Sequence, residues 1–375
     1  MIIRQRLRTG QIWLTRYGAM WVAHIALMLL ATITPYRHPA PALLHAEEQY
    51  WQHARFWFQY DALRYMELAR HGYSAAHPQA AVFFPLVPWL IRLAGAWGAI
   101  AATQLAFFGT LFFLDRVFGQ MGIDSGARTR ALWLFALNPA AIFYTTLYSE
   151  PWTMLLALAS LDAAIAGRYV WASALAALGA LSHGTGILIG LMPLTLLVWA
   201  LLTHNRKTAA AALLWGGGIV AGLGIFQILL VHAHLSPWAF LTGQHVWGAR
   251  WIWPWQQWTL LAHVHSEALW MLGIVGLSQA LALTGLWLAP GGAGHPAWLW
   301  TAARVYAIGG TLISLSFYEF YPFHSTLRLL SDYFPLYGGT GLLTRRRSVF
   351  AVLLVLWVVT AWGGAVWFSH QNWYQ

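Results

Sequence analysis

The sequence predicts an all-α polytopic membrane protein, because of its composition and the spacing of its apolar runs. Hydrophobic residues make up 59% of the 375 residues, charged residues make up only 9%, and the mean hydropathy is +0.56. Soluble globular domains carry about 25% charged residues. Apolar runs recur along the chain and approach the roughly 20 residues that a helix needs to cross the hydrocarbon. We therefore expect about ten transmembrane helices, together with interfacial or re-entrant helices.

One continuous membrane domain is expected over residues 1–375. No linker rich in Pro, Ser or Gly separates the apolar runs. The first run, over residues 17–35, has no small-residue cleavage site after it, so we interpret it as an uncleaved helix. The chain has no Cys, which excludes disulfides as the means of ordering its loops.

The net charge of +10 could indicate a nucleic-acid partner, but its distribution favours a topology signal. Four Arg residues lie within the first 16 positions, and further basic clusters lie at Arg206-Lys207 and Arg345–Arg347. Short Lys- and Arg-rich segments at the ends of spans mark the cytoplasmic side. We therefore predict a cytoplasmic N-terminus and no nucleic-acid partner. Residues 37–80 and 232–267 then form loops on the opposite, exoplasmic face.

The first of these loops contains the most informative segment, WFQYDALRYMELARHGY at residues 57–73. Its pattern predicts an amphipathic interfacial helix over residues 55–70, with Asp61 beside Trp57, Arg64 and Tyr65. An ionisable group at a membrane is costly, so it marks a functional site by default. Asp61 is therefore a candidate general base. The alternative is an ordinary surface ion pair between Asp61 and Arg64.

Several motifs in order carry a resemblance to a known family. The segment at residues 57–73 is followed by AVFFPLVPWLIR at residues 81–92. Asn138-Pro139-Ala140, Tyr148-Ser149-Glu150 and residues 327–337 then follow. This series resembles the membrane-embedded C-type glycosyltransferases, in the group that includes the second mannosyltransferase of GPI-anchor assembly and its bacterial relatives. The chain departs from that pattern at His183, where the family has Arg, and at Leu329, where it has Tyr.

The resemblance implies a C-type glycosyltransferase fold in a multi-pass protein of a bacterial inner membrane. It also implies an enzyme that acts as a monomer and transfers one sugar, usually mannose, from a polyprenyl-phosphate-linked donor. The acceptor is a glycolipid or another glycan on the non-cytoplasmic face. Such enzymes invert the anomeric centre, and Asp61 matches the carboxylate that activates the acceptor hydroxyl. Neither a cofactor nor a metal is implied, because the leaving group is a lipid phosphate.

The other site residues follow from these implications. Arg328 is the main candidate for binding the donor phosphate, since guanidinium matches phosphate in bidentate geometry. It could instead pair with Asp332 or extend to lipid headgroups. Arg64 and His183 are secondary candidates for the phosphate. Glu150 could bind sugar or simply complement a helix dipole. The residues expected to bind substrate are Glu150, Tyr60, Tyr65, Trp57 and Tyr148.

The loop over residues 232–267 is rich in Trp. Its aromatic rings could stack on sugar faces, but Trp is also common at membrane interfaces. The pairs His232/His234 and His263/His265 have spacing that a metal could use. Because the chain has no Cys and few carboxylates near these pairs, we expect no metal site.

Two other functions compete with the glycosyltransferase interpretation. A transporter or flippase of a lipid-linked precursor would need polar residues at mid-membrane depth in several helices, and these are sparse. A membrane O-acyltransferase would use a buried His, for which His183 is available. That alternative leaves the Asp61 helix without a role.

Overall fold

The computed structural model describes residues 2–34, 56–260, 266–289, 296–318, 323 and 325–369. Regular structure in these residues is almost entirely helical, which confirms the predicted all-α class. The α-helices are α1 (Ile2–Thr32), α2 (Asp61–His71), α3 (Leu86–Gln120), α4 (Ser125–Ala136), α5 (Glu150–Ile165), α6 (Tyr169–Ala180), α7 (Leu191–Leu202), α8 (Arg206–His232), α9 (Ala239–Thr242), α10 (Pro254–Thr259), α11 (Ser266–Leu288), α12 (Ala297–Ser316), α13 (Thr326–Leu330), α14 (Phe334–Leu343) and α15 (Arg347–Ser369). The 3₁₀ turns are Pro78–Val82, Ala141–Tyr144, Gly184–Gly190 and Gly243–Trp247.

Within the described ranges, four helical stretches are long and apolar enough to cross a membrane. They are Leu86–Gln120, Gly184–Leu202, Arg206–His232 and Arg347–Ser369. These stretches are consistent with a membrane protein. The helices α4, α6 and α14 have 12, 12 and 10 residues, and at about 1.5 Å per residue each is too short to cross a bilayer alone. The expected total of about ten crossings stays a prediction.

Helix α3 is the longest of these elements and is broken near its start. Its 35 residues would extend about 50 Å if straight, well beyond the thickness of the hydrocarbon. Gly95 interrupts it with φ of 72°, a left-handed conformation that glycine adopts without penalty. The sequence has apolar runs at residues 82–96 and 99–117, and they meet close to this break.

Close helix contacts depend on glycine. A Cβ atom on Gly339 of α14 would lie 2.0 Å from the carbonyl oxygen of Ala282 in α11. A Cβ atom on Gly222 of α8 would lie 2.4 Å from the carbonyl oxygen of Ala177 in α6. Small residues at such positions let helix backbones approach each other in membrane proteins, where dispersion contacts replace the hydrophobic effect as the driving force.

The Trp-rich segment, residues 232–267, contains regular secondary structure in its described residues. It contains α9, a 3₁₀ turn, strand β1 (Arg250–Trp251) and α10. Strand β1 pairs antiparallel with β2 (Phe317–Tyr318), which directly follows α12. The buried Gln257 side chain strengthens this connection, because its Nε2 donates to the carbonyl oxygens of Leu315 and Phe317 at 3.0 and 2.9 Å. The segment is thereby attached to the chain that leads to Arg328.

Candidate active site

The site begins at the N-terminus of α2, where Asp61 is the first helical residue. The expected helix over residues 55–70 is wrong in its first turn, because Tyr60 adopts φ of 53° and residues 56–60 are not helical. This stretch is bonded instead to the segment before α5. The backbone N–H of Leu147 donates to the Trp57 carbonyl at 3.2 Å, and the Tyr148 hydroxyl donates to the Gln59 carbonyl at 3.4 Å.

Arg328 joins Asp61 to Glu150. Its Nη1 donates to Asp61 Oδ2 at 2.5 Å, and its Nε donates to Glu150 Oε1. These contacts link residues that are 267 and 178 positions apart. Burial disfavours the charged guanidinium, but the Glu150 and Asp61 carboxylates more than offset this and raise the pKa of Arg328 well above its ordinary value. We call these three residues the ion triad.

The two carboxylates of the ion triad differ in access. The Asp61 side chain is 20% exposed, whereas the Glu150 side chain is 0% exposed. Glu150 is the first residue of α5, where the helix dipole stabilises a negative charge. Its second oxygen, Oε2, is buried and has no hydrogen-bond partner among the described residues. Glu150 thus holds Arg328 from the interior, and Asp61 holds it from the open side.

Aromatic side chains enclose the ion triad. The Arg328 Cζ atom lies 4.8 Å from the centre of the Tyr148 ring and 5.3 Å from that of Phe143. Such contacts between a cation and a ring face are attractive, and more so when water is excluded. The Tyr65 hydroxyl donates to Ser149 Oγ at 3.0 Å, one residue before Glu150. Burial, followed by the charge of Asp61, raises the pKa of Tyr65, so its hydroxyl keeps its proton.

A second polar cluster lies beside the ion triad around Asp332, which the sequence offered only as a partner for Arg328. Asp332 is fully buried and accepts hydrogen bonds from Thr185 Oγ1 at 2.9 Å and from the Tyr144 hydroxyl at 3.3 Å. His183 Nδ1 bonds Thr185 Oγ1 at 2.7 Å and lies 3.9 Å from Asp332 Oδ2. Burial, with the nearby Arg328 charge, lowers the pKa of His183 to about 3, so this imidazole is neutral near pH 7.

Two predicted site residues lie at the edge of this arrangement. Arg64 is 43% exposed, pairs with Glu67 at 3.2 Å and lies over the Trp247 ring at 5.7 Å. The structure therefore pairs Arg64 with a residue of its own helix, whereas Asp61 pairs with Arg328. Tyr60 directs its ring toward Phe368 of α15, with 5.3 Å between the ring centres.

The Trp-rich segment contributes both a cover and an exposed surface. Trp247 packs edge-on to Phe83, with ring centres 6.0 Å apart, so it lies over the residues just before α3. Trp253 and Trp255 stack with their ring centres 4.9 Å apart, and both are exposed.

No group of three or more metal-ligating side chains occurs in the part of the chain that the structure describes. His263 and His265 lie outside the described residues.

No family model matches the chain, and no curated protein matches it either.

Proposed function

We propose that the protein is a membrane glycosyltransferase that moves one sugar, expected to be mannose, from a polyprenyl-phosphate-linked donor to a glycolipid or other glycan acceptor. One observation carries this proposal. Asp61 is a carboxylate at the open side of a buried ion triad, and its side chain is 20% exposed while that of Glu150 is 0% exposed. Of the two carboxylates, Asp61 is the one an acceptor hydroxyl reaches.

Asp61 acts as the general base of a single displacement. It takes the proton of the acceptor hydroxyl as the acceptor oxygen bonds to the anomeric carbon of the sugar. The bond from that carbon to the phosphate oxygen breaks, and its electron pair stays on the phosphate. Because attack comes from the face opposite the phosphate, the anomeric configuration inverts. One positioned base of this kind contributes typically 10²–10⁴-fold to the rate.

The leaving phosphate needs a cation in a site with little water. Arg328 supplies it, with Tyr148 and Phe143 flanking the guanidinium. Preorganised charge at the atom where negative charge develops is often the largest catalytic contribution. Neutral His183 and the exposed Arg64 are secondary contacts for the donor headgroup. Glu150, Tyr148 and Tyr65, each at most 1% exposed, support Arg328 and Asp61 from the interior.

The experiment uses lipid extracts from cells with and without the gene, analysed by mass spectrometry, together with purified protein given polyprenyl-phosphate mannose. We expect a glycan or glycolipid to lose one hexose without the gene, and the parent protein to restore it. Loss of an acyl group instead would favour an O-acyltransferase that uses His183. If the total amount of a lipid-linked precursor is unchanged but its distribution between the two membrane faces is altered, a flippase would be favoured. Either of these outcomes, with no sugar transfer by the purified protein, rejects the proposal.

A further inference from the structure

Arg328 is shared by two carboxylates, which creates a problem for phosphate binding. Its Nη1 contacts Asp61 Oδ2 at 2.5 Å, and its Nε contacts Glu150 Oε1. One guanidinium against two ionised carboxylates leaves the ion triad with one net negative charge. An arriving phosphate therefore meets a cation whose charge is already offset, in an environment where like charges repel strongly.

The charge balance of the proposed reaction removes this conflict. The proton of the acceptor hydroxyl moves to the Asp61 carboxylate, which becomes neutral. The electron pair of the broken bond between the anomeric carbon and oxygen moves to the phosphate, which gains a negative charge. One unit of negative charge thus leaves Asp61 as one unit appears on the phosphate, and the total is unchanged.

We propose that Arg328 exchanges Asp61 for the leaving phosphate during sugar transfer, while Glu150 acts as a positioning residue that holds the guanidinium throughout. This inference rests on the proposed glycosyltransferase function. It makes Asp61 both the base and the resting partner of the cation, so that taking the acceptor's proton releases Arg328 at the moment the phosphate needs it.

The contacts assign different roles to the two carboxylates. Glu150 binds Nε, the nitrogen closest to the side-chain stem, and is wholly buried. Asp61 binds the outer Nη1 and is partly exposed. The guanidinium presents five N–H donors in a rigid fork, so it can change an outer partner while keeping the inner one. Because Asp61 is partly exposed and Glu150 is wholly buried, the acceptor's proton is delivered to Asp61.

The deciding experiment measures product binding by Asp61→Asn, whose neutral amide imitates protonated Asp61. We expect this variant to bind polyprenyl phosphate about ten-fold more tightly than the parent does, because one charge-assisted contact of Arg328 becomes available. Affinity for uncharged polyprenol should not change. Equal or weaker binding of polyprenyl phosphate by Asp61→Asn overturns the exchange.

The matched control is Asp162→Asn. Asp162 lies near the far end of α5 and pairs with Arg116 at 2.5 Å, so the substitution also removes a carboxylate from an arginine. We expect no gain in affinity for polyprenyl phosphate. An equal gain in this control would show a general charge effect and overturn the exchange. Sugar transfer by the parent tests the proposed function separately: a parent that transfers sugar without a gain in Asp61→Asn leaves the function standing and removes only the exchange.

The role of Glu150 is tested in the Asp61→Asn background by adding Glu150→Asp. The shorter side chain keeps the charge but withdraws the carboxylate from Nε. If Glu150 positions Arg328, the ten-fold gain shrinks when binding is measured on the folded double variant, whose thermal unfolding midpoint should also fall because a buried ion pair is weakened. Retention of the full gain shows that Glu150 is only structural and overturns its positioning role.

Discussion

At the scale of single residues, Asp61 offers the sharpest test of catalysis. Asp61→Asn removes basicity but preserves size, and Arg328 keeps its contact with Glu150, so the variant should fold. We expect sugar transfer to fall by about 10²–10⁴-fold, the usual contribution of a general base. The measurement is kcat for purified protein with saturating donor. Near-parental turnover would remove Asp61 from the mechanism.

Two substitutions at Arg328 distinguish the effect of its charge from that of its geometry. Arg328→Ala leaves Glu150 buried and without its cation, a change that costs about 3–5 kcal/mol of folding free energy in comparable buried pairs. Arg328→Lys keeps the charge but lacks the fork that reaches both carboxylates, so we expect folded protein with a lower rate. Thermal unfolding and kcat/KM of both variants check this. An Arg328→Ala variant with parental stability and rate would contradict it.

The sequence singled out these three residues as candidates, but it did not predict their contacts with one another. Asp61 stood out as an ionisable group on a helix beside a membrane, and Arg328 and Glu150 stood out because they lie in the motifs that carry the resemblance. Their contacts span 267 and 178 positions, and helical periodicity carries no information about pairs so far apart. Asp332 was considered only as a neighbour of Arg328 along one helix. Its bond from Thr185 required the tertiary structure.

At the scale of elements, the 3₁₀ turn Gly184–Gly190 positions Thr185 and is tightly packed on α6. A Cβ atom on Gly186 would lie 1.9 Å from the Gly179 carbonyl oxygen, so Gly186→Ala forces the turn away. Overpacking of this kind costs about 1–3 kcal/mol. We expect a lower unfolding midpoint and weaker sugar transfer.

The control for the turn lies two positions earlier. A Cβ atom on Gly184 would lie 3.8 Å from Phe84 Cε2, an ordinary contact, so Gly184→Ala should stay close to the parent in both measurements. If both alanine variants behave alike, close packing of the turn is not what positions Thr185.

Gln257 attaches the Trp-rich segment to the end of α12. Gln257→Leu leaves the carbonyls of Leu315 and Phe317 without this donor, and each unsatisfied buried group costs about 1–3 kcal/mol. We expect faster proteolysis within residues 244–259. Gln256→Leu is the control, because exposed Gln256 contacts only its own turn, at Trp253, in the described bonds. Equal proteolysis of the two variants would contradict an anchoring role for Gln257.

The start of α2 was not predicted correctly by the amphipathic pattern. The amphipathic pattern correctly indicated a helix after Asp61 but extended it back to residue 55. The pattern records only which side chains are apolar. Phe56 and Phe58 are buried in a stretch that is not helical, so their apolar side chains do not indicate a helix. The left-handed φ of Tyr60, which ends that stretch, has no signal in a single sequence.

At the scale of the whole molecule, the sequence predicted the all-α class, but hydropathy alone does not determine the number of membrane crossings. Hydropathy identifies α3, α8 and α15 directly, since each holds a long apolar run. Short helices such as α6 and α14 are apolar but reach only part of the bilayer thickness alone. The position of these helices in the membrane depends on the neighbouring helices that they contact closely at glycine residues. Hydropathy does not predict such contacts.

Orientation of the whole chain is the last prediction, and it follows from the basic clusters at Arg206-Lys207 and Arg345–Arg347. From these clusters we predict that the N-terminus lies in the cytoplasm and that α2, with Asp61, lies on the opposite face. The chain has no Cys, so single cysteines give labels without background. Ala75 follows α2 and Thr203 follows α7, and both are exposed. In intact spheroplasts, Ala75→Cys should react with an impermeant maleimide, and Thr203→Cys should react only after permeabilisation. The reverse pattern would place the ion triad on the cytoplasmic face, where a donor presented on the outer face could not reach it, and the proposed donor would have to be abandoned.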